Sequence, residues 1–364
     1  MARIVVKIGT SVLTGGGLSL DTAHMAELAG QCARLMADGH QVLLCSSGAI
    51  AAGRARTGLA PSGLPSRQML AAVGQTHLMQ AWQTCFVPFD VVVGQLLFTR
   101  ADVEDRRRYL NARDALEAML GHGVLPIANE NDAVATAEIR LGDNDALSAL
   151  LAGLCGADLL ILLTDQPGLF TADPRSNPEA RLITDVSRVD DRLRATAGGA
   201  ASDVGTGGMA TKVLAAEIAG RAGAAVVVAS GHAPDVIIRA TAGEPVGTRF
   251  APTNTPLEHR KRWILAGPAA RASIVVDAGA ANAVLSNGRS LLPAGILHVD
   301  GAFSRGDTVR VRAEGGRELG RGIVQYDHAE LMQLVGRRST EIEQILGYSR
   351  GPVAIHRNDF VVQE

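Results

Sequence analysis

Aromatic side chains make up only 3% of this 364-residue chain, too few for the stacking surfaces that grip unpaired bases. The formal net charge is -2, so no global basic field argues for nucleic acid. Cys32, Cys45, Cys85 and Cys155 form no CxxC pair and have no histidine at metal spacing. All four sit in apolar surroundings, which predicts buried free thiols and a reducing, cytoplasmic setting. Every apolar run is interrupted by Gly, Asp, Arg or Pro before the ~20 residues that a membrane span needs. The opening MARIVVKIGTSVL meets Lys7 and Gly9 where a signal peptide would stay apolar, and reads better as a first strand. Gly15-Gly16-Gly17 does not form GxGxxG, and no strand-end acid follows to hold a ribose, which argues against a dehydrogenase. There is no internal repeat and no low-complexity tract.

What is present is an ordinary globular composition, 47% hydrophobic and 20% charged, at a length that suits roughly two domains. Apolar runs at 3–8, 41–45, 90–97, 124–128, 158–163 and 225–229 predict strands. Helical patterns at 20–38, 67–82, 106–120, 145–155 and 209–221 fall between them. Alternation of this kind, with strands apolar throughout, predicts a mostly parallel α/β sheet sandwiched by helices. Near residue 245 the character changes. Segment 244–263 carries three prolines and a charge cluster and reads as a linker. Short strands at 273–277, 308–312, 318–325 and 353–357, with helices near 329–335 and 339–346, predict a small β-rich domain. The boundaries expected are 1–250, a linker at 251–268, and 269–364.

The chemistry is concentrated where predicted strands end, the place where such sheets bind ligands. Lys7 precedes the turn Gly9-Thr10-Ser11, and is either a snorkelling surface lysine or a phosphate ligand. GTGGMATK at 205–212 runs three glycines into a helix with Lys212 in its first turn. It is not a P-loop; it is either a plain turn and cap or a phosphate site built of backbone N–H groups and a lysine. Ser47 either caps a helix or donates to an anion. Asn129-Glu130-Asn131-Asp132 puts four polar side chains after an apolar strand, more than a turn explains, and suggests a polar ligand. Asp143 and Asp145 flank Asn144 at a helix start, where a carboxylate can cap, orient a lysine or bind Mg²⁺; no EF-hand spacing follows. Thr164 and Asp165 close the strongest strand, and Asp173-Pro174 and Asn177-Pro178 predict a long ordered loop over the strand ends.

In this order, VVKIGTSVL, SSGAIAAGR, NARDALEAM, NENDAVATAEI, GDNDALSA, LLTDQPGLFTADPRSNPEA, GTGGMATK and HRKRWI closely resemble the glutamate 5-kinase (γ-glutamyl kinase) family, which has the amino-acid-kinase fold. SLLPAGILHVDGAFSRGDTVRV and ILGYSRGPVAIHR resemble the PUA domain of its bacterial members. The resemblance covers nearly the whole chain. It implies transfer of phosphate from ATP to L-glutamate, giving L-glutamyl 5-phosphate for proline biosynthesis, with Mg²⁺, feedback inhibition by proline and a homotetramer or homodimer. It implies that Lys7 and Lys212 are catalytic lysines positioned by Asp145. It assigns ATP contacts to Lys7, Gly9, Thr164, Asp165, Thr206, Gly207, Gly208, Met209, Ala210, Thr211 and Lys212, and glutamate contacts to Ser47, Asp132, Asn144 and Asp143. Pro167 after TDQ and Ser46 before SGAIAAG are minor departures.

The residue types suit that chemistry. A side-chain carboxylate is already ionised at neutral pH, so no general base is needed, and no histidine stands in any strand-end motif. The difficulty is bringing an anion against a polyanion, which two lysines relieve. Loop 133–142, with Glu138 and Arg140, is expected to close over the amino acid and sense proline. RNA binding through the tail, whose arginines include Arg305, Arg310, Arg312, Arg317 and Arg321, is the lesser alternative, since essentially only Phe303 and Tyr326 could stack there. Another kinase of the same fold is the other.

Overall fold

The computed structural model describes the chain except residues 136–143, 199–207, 256–263, 265–271, 287 and 363–364. It separates into two compact units, Met1–Pro256 and Leu257–Glu364. In the first, the strands are β1 (Arg3–Ile8), β2 (Gln41–Ser46), β3 (Val93–Phe98), β4 (Leu125–Glu130), β5 (Leu159–Thr164), β6 (Asp185–Val186), β7 (Ala225–Ser230) and β8 (Thr248–Phe250). They form one sheet in the order β3-β4-β2-β1-β5-β7-β8-β6. Every pairing is parallel except β7 with β8.

The sheet is apolar on both faces because helices cover both. Ile4, Val6 and Ile8 of β1 join one buried cluster, while Val5, between them, joins the other. The first cluster packs against α2 (Thr22–Ala37), which contributes Met25, Leu28 and Cys32, and α4 (Leu64–Phe86), which contributes Leu78 and Trp82. The second packs against α7 (Asn144–Cys155) and α9 (Met209–Ala222). Two-residue alternation therefore places Lys7 on the same face as Val5, the face that α7 and α9 cover. Between β2 and α4 lies α3 (Ala49–Thr57). It crosses α4 at backbone contact: a methyl on Gly74 would collide with the Ala49 carbonyl, and one on Gly53 with the Leu70 carbonyl.

Several sequence expectations change. Asn129 and Glu130, read as loop, are the last residues of β4 and are buried. The segment read as a linker from 244 begins with β8, whose Thr248 and Phe250 are buried in the sheet. Its pairing with β7 is long-range, so local composition does not announce it. The excursion after β5 contains β6 and α8 (Asp191–Gly198). The four cysteines are buried, and burial pushes the Cys32 thiol up to about 12.

The second unit is a five-stranded sheet of β9 (Ser273–Val276), β10 (Ile296–Asp300), β11 (Thr308–Ala313), β12 (Glu318–Val324) and β13 (Ile355–Val362), in the order β10-β9-β11-β12-β13. Strand β10 and the helix Ala278–Leu285 have no counterpart in the sequence expectations. Val309, Val311, Tyr326, Leu331, Leu334 and Ile342 form its core.

Candidate functional site

Three elements of the first unit bring three ionised side chains together. Lys7 stands near the end of β1, Asp145 in the first turn of α7, and Lys212 in the first turn of α9, whose N-cap is Gly208. Lys7 Nζ lies 2.5 Å from Asp145 Oδ1 and Lys212 Nζ 3.1 Å from Asp145 Oδ2. All three are buried, with relative exposures of 3% for Lys7, 0% for Asp145 and 5% for Lys212. The Thr211 hydroxyl is 2.8 Å from Asp145 Oδ2 and 2.7 Å from the Gly208 carbonyl, so its single proton can serve one of them at a time. Burial pushes the Asp145 carboxyl up, but Lys7 and Lys212, together with hydrogen bonds from Lys7 and Thr211, outweigh it and hold the group well below the usual carboxylate range. Two buried ammonium groups thus meet on one carboxylate beside the strand ends, a setting that suits an anionic ligand.

A cleft adjoins this cluster. Thr164 and Asp165 at the end of β5 line it with Phe170, Asp173, Arg175, Gly208, Met209 and Lys212. Its polar end carries Lys212 and the N-terminus of α9, and its other walls include Leu169, Phe170 and Pro174. That is the division of surface a nucleotide needs. Of the residues expected at ATP, Thr164, Asp165, Gly208, Met209 and Lys212 meet here. Gly9, whose N–H donates to the Leu163 carbonyl at 3.3 Å, and Ala210, which is exposed, do not line the cleft. Thr206 and Gly207 lie outside the described residues, as do Asp143, Glu138 and Arg140.

Beside Asp145 runs a chain of amides. Asn144 Nδ2 donates to Ser47 Oγ at 3.0 Å and to Asn129 Oδ1 at 2.9 Å. The Glu130 N–H donates to both Asn129 Oδ1, at 2.9 Å, and Asn144 Oδ1, at 3.2 Å. Asn129 Nδ2 donates to Gln75 Oε1 of α4 at 2.8 Å. Ser47 and Asn144, expected at glutamate, thus touch each other. Asp132 follows β4 on a turn and lines a second cleft of about 560 Å³, with Gln75, Glu130 and Asn131 among its walls. Asn129 was legible as part of a polar run, though not its burial. Gln75 gave no signal, being one polar residue of a long helix.

Comparison with known proteins agrees with this geometry. Residues 2–230 match the model of the amino acid kinase family, and residues 272–346 match that of the PUA domain. The chain is 58% identical over 361 residues to a glutamate 5-kinase of Photobacterium profundum, covering 99% of this chain and 96% of the relative. It is 58% identical over 362 residues to one of Shewanella pealeana, covering 99% and 97%. It is 55% identical over 362 residues to one of Klebsiella pneumoniae, covering 99% and 98%. With its two lysines gathered on one aspartate and these likenesses spanning both units, the chain belongs to the amino acid kinase family and, within it, to the glutamate 5-kinases.

Proposed function

We infer that this protein transfers the terminal phosphoryl group of ATP to the side-chain carboxylate of L-glutamate, making L-glutamyl 5-phosphate, the first step of proline biosynthesis. The observation that carries this is the pair of ammonium groups, from residues 7 and 212, held on opposite oxygens of Asp145. Phosphoryl transfer needs little covalent help from a protein. It needs alignment, and positive charge around the oxygens that carry negative charge in the transition state. In this reading Lys7 and Lys212 flank the migrating group from two sides and leave the line of attack open. Asp145 keeps both nitrogens in place before substrate arrives, so little reorganisation is left for the reaction itself. The start of α9 adds backbone N–H groups toward the phosphates, and Thr164 and Asp165 hold the nucleoside end. Ser47, Asn144 and Asp132 bind glutamate, and Asp143 belongs to the same loop.

Mg²⁺, when bound, would neutralise part of the triphosphate charge. Both Asp145 oxygens already carry ammonium partners, and among the described residues no group of three His, Cys, Asp or Glu is arranged to hold a cation. Feedback inhibition by proline, a homotetramer or homodimer, and a cytoplasmic location belong to the same proposal. So does the division into a kinase part at 1–250, a linker at 251–268 and a structural or regulatory tail at 269–364. No described helix is long and apolar enough to cross a membrane. The test is ADP release with glutamate, aspartate, N-acetylglutamate, bicarbonate or UMP as acceptor, followed by hydroxylamine trapping of the acyl phosphate. Turnover with another acceptor and none with glutamate would refute the assignment.

A further inference from the structure

The amide chain fixes more than Asn144. A backbone N–H can only donate, so the atoms of Asn129 and Asn144 that face the Glu130 N–H are oxygens. With its oxygen committed there, Asn129 presents Nδ2 to Gln75, and the Gln75 atom it meets is Oε1. The Gln75 amide is thereby oriented, and Nε2 is the end that the chain does not use. Gln75 is half-buried and lines the 560 Å³ cleft that Asp132 and Glu130 also line.

That cleft is lopsided. Among the described residues that line it are two carboxylates and no lysine or arginine. Asp132 and Glu130 suit an ammonium group; the carboxylate of an amino acid would need neutral donors instead. Gln80, Gln83 and Gln95 also line the cleft, but all three are exposed, whereas Gln75 is locked to buried Asn129. A donor already oriented loses less freedom on binding. The chain also runs in a useful direction, from Asn144, next to the lysine-bearing Asp145, through Asn129 to Gln75. An amino acid whose side-chain carboxylate lies at the lysines would have its α-groups at the far end.

We propose that Gln75 is a specificity-determining residue: its Nε2 donates to the α-carboxylate of the amino-acid substrate, opposite the acidic groups that take the α-ammonium. The proposal rests on the glutamate-phosphorylating reading above.

The test uses the full-length protein at saturating ATP and Mg²⁺. Gln75→Glu keeps an oxygen for Asn129 Nδ2 and replaces the donor end with a second oxygen. Gln75→Leu removes both. The expected result is a KM for L-glutamate raised about tenfold in Gln75→Leu and further in Gln75→Glu, with kcat within about threefold and KM for ATP unchanged. A hydrogen bond to a charged group is worth at least that factor. L-Isoglutamine, in which the α-carboxylate is an amide, supplies a readout that mere structural damage would not move. The kcat/KM preference for glutamate over isoglutamine should fall about tenfold in Gln75→Leu. A wild-type or improved KM in Gln75→Glu, or equal loss on both substrates, would overturn the proposal. A wild-type protein that does not phosphorylate glutamate would overturn the functional reading together with it, a result distinguishable from active wild type with unaffected variants.

Discussion

Replacing Asp145 by asparagine keeps its shape and removes its charge. The carboxylate is fully buried between Lys7 Nζ at 2.5 Å and Lys212 Nζ at 3.1 Å. Removing one member of a buried ion pair costs about 3–5 kcal/mol, because the other charge stays behind. An asparagine oxygen can still accept from one lysine, so the low end applies, about 3 kcal/mol. For a unit of this size that lowers Tm by about 6–12 °C. ATP should shrink the deficit, since its phosphates restore negative charge beside Lys7 and Lys212 and binding stabilises the folded state by mass action. The sign of the pH dependence follows from the depressed folded pKa of Asp145. The stability that the carboxylate contributes is present above its ordinary value of 3.8 and is lost as pH falls below that toward the folded value. The gap between wild type and Asp145→Asn should therefore be constant near neutrality and close in acid. Turnover should fall on the order of 10³-fold, because both lysines lose their positioner and each preorganised donor is worth 10²-fold or more. Differential scanning fluorimetry with and without ATP across pH, beside a coupled ADP assay, reads all of this. A Tm within about 1 °C of wild type without ATP, or near-normal kcat, would refute the idea that one carboxylate holds both lysines.

Lys7→Ala and Lys212→Ala should each lower kcat by on the order of 10²-fold or more in the same assay, with full turnover in either variant removing that lysine from catalysis. Asp132→Ala should raise KM for glutamate and leave ATP affinity by titration calorimetry unchanged; lost nucleotide binding would move Asp132 to the other half of the site. Thr211→Val should lower kcat about tenfold, a charged hydrogen bond's worth, with Thr211→Ser close to wild type; loss in Thr211→Ser with Thr211→Val near wild type would point to the methyl group rather than the hydroxyl. Gly74→Ala drives a methyl into the Ala49 carbonyl where α3 crosses α4, and should destabilise by about 3 kcal/mol in thermal melts.

The sites that were legible are those whose chemistry and local structure coincide. Lys212 follows glycines into the first turn of a helix, and Lys7 ends an apolar strand before a glycine turn; each pattern is complete within a few residues. The four-residue run from Asn129 was legible as polar. Its division was not: Asn129 and Glu130 are buried at the end of β4, while Asp132 lies on the turn beyond it, and Glu130 and Asp132 line one cleft. Nor was Thr211 legible as a partner of Asp145, because that bond joins residues 66 positions apart.

The order of apolar strands and amphipathic helices determined a doubly covered, mostly parallel sheet, since strand period and helix period are local properties that composition alone can satisfy. The motifs placed lysines, carboxylates and amides at the strand ends. Only the tertiary structure decided that β8 extends the sheet beyond β7, that alternate residues of β1 send Lys7 to the face covered by α7 and α9, that two distant lysines share one aspartate, and that a glutamine of α4 is oriented by an amide chain from β4. Each depends on contacts between segments far apart in the chain, where packing and hydrogen-bond satisfaction, rather than local pattern, select the partner.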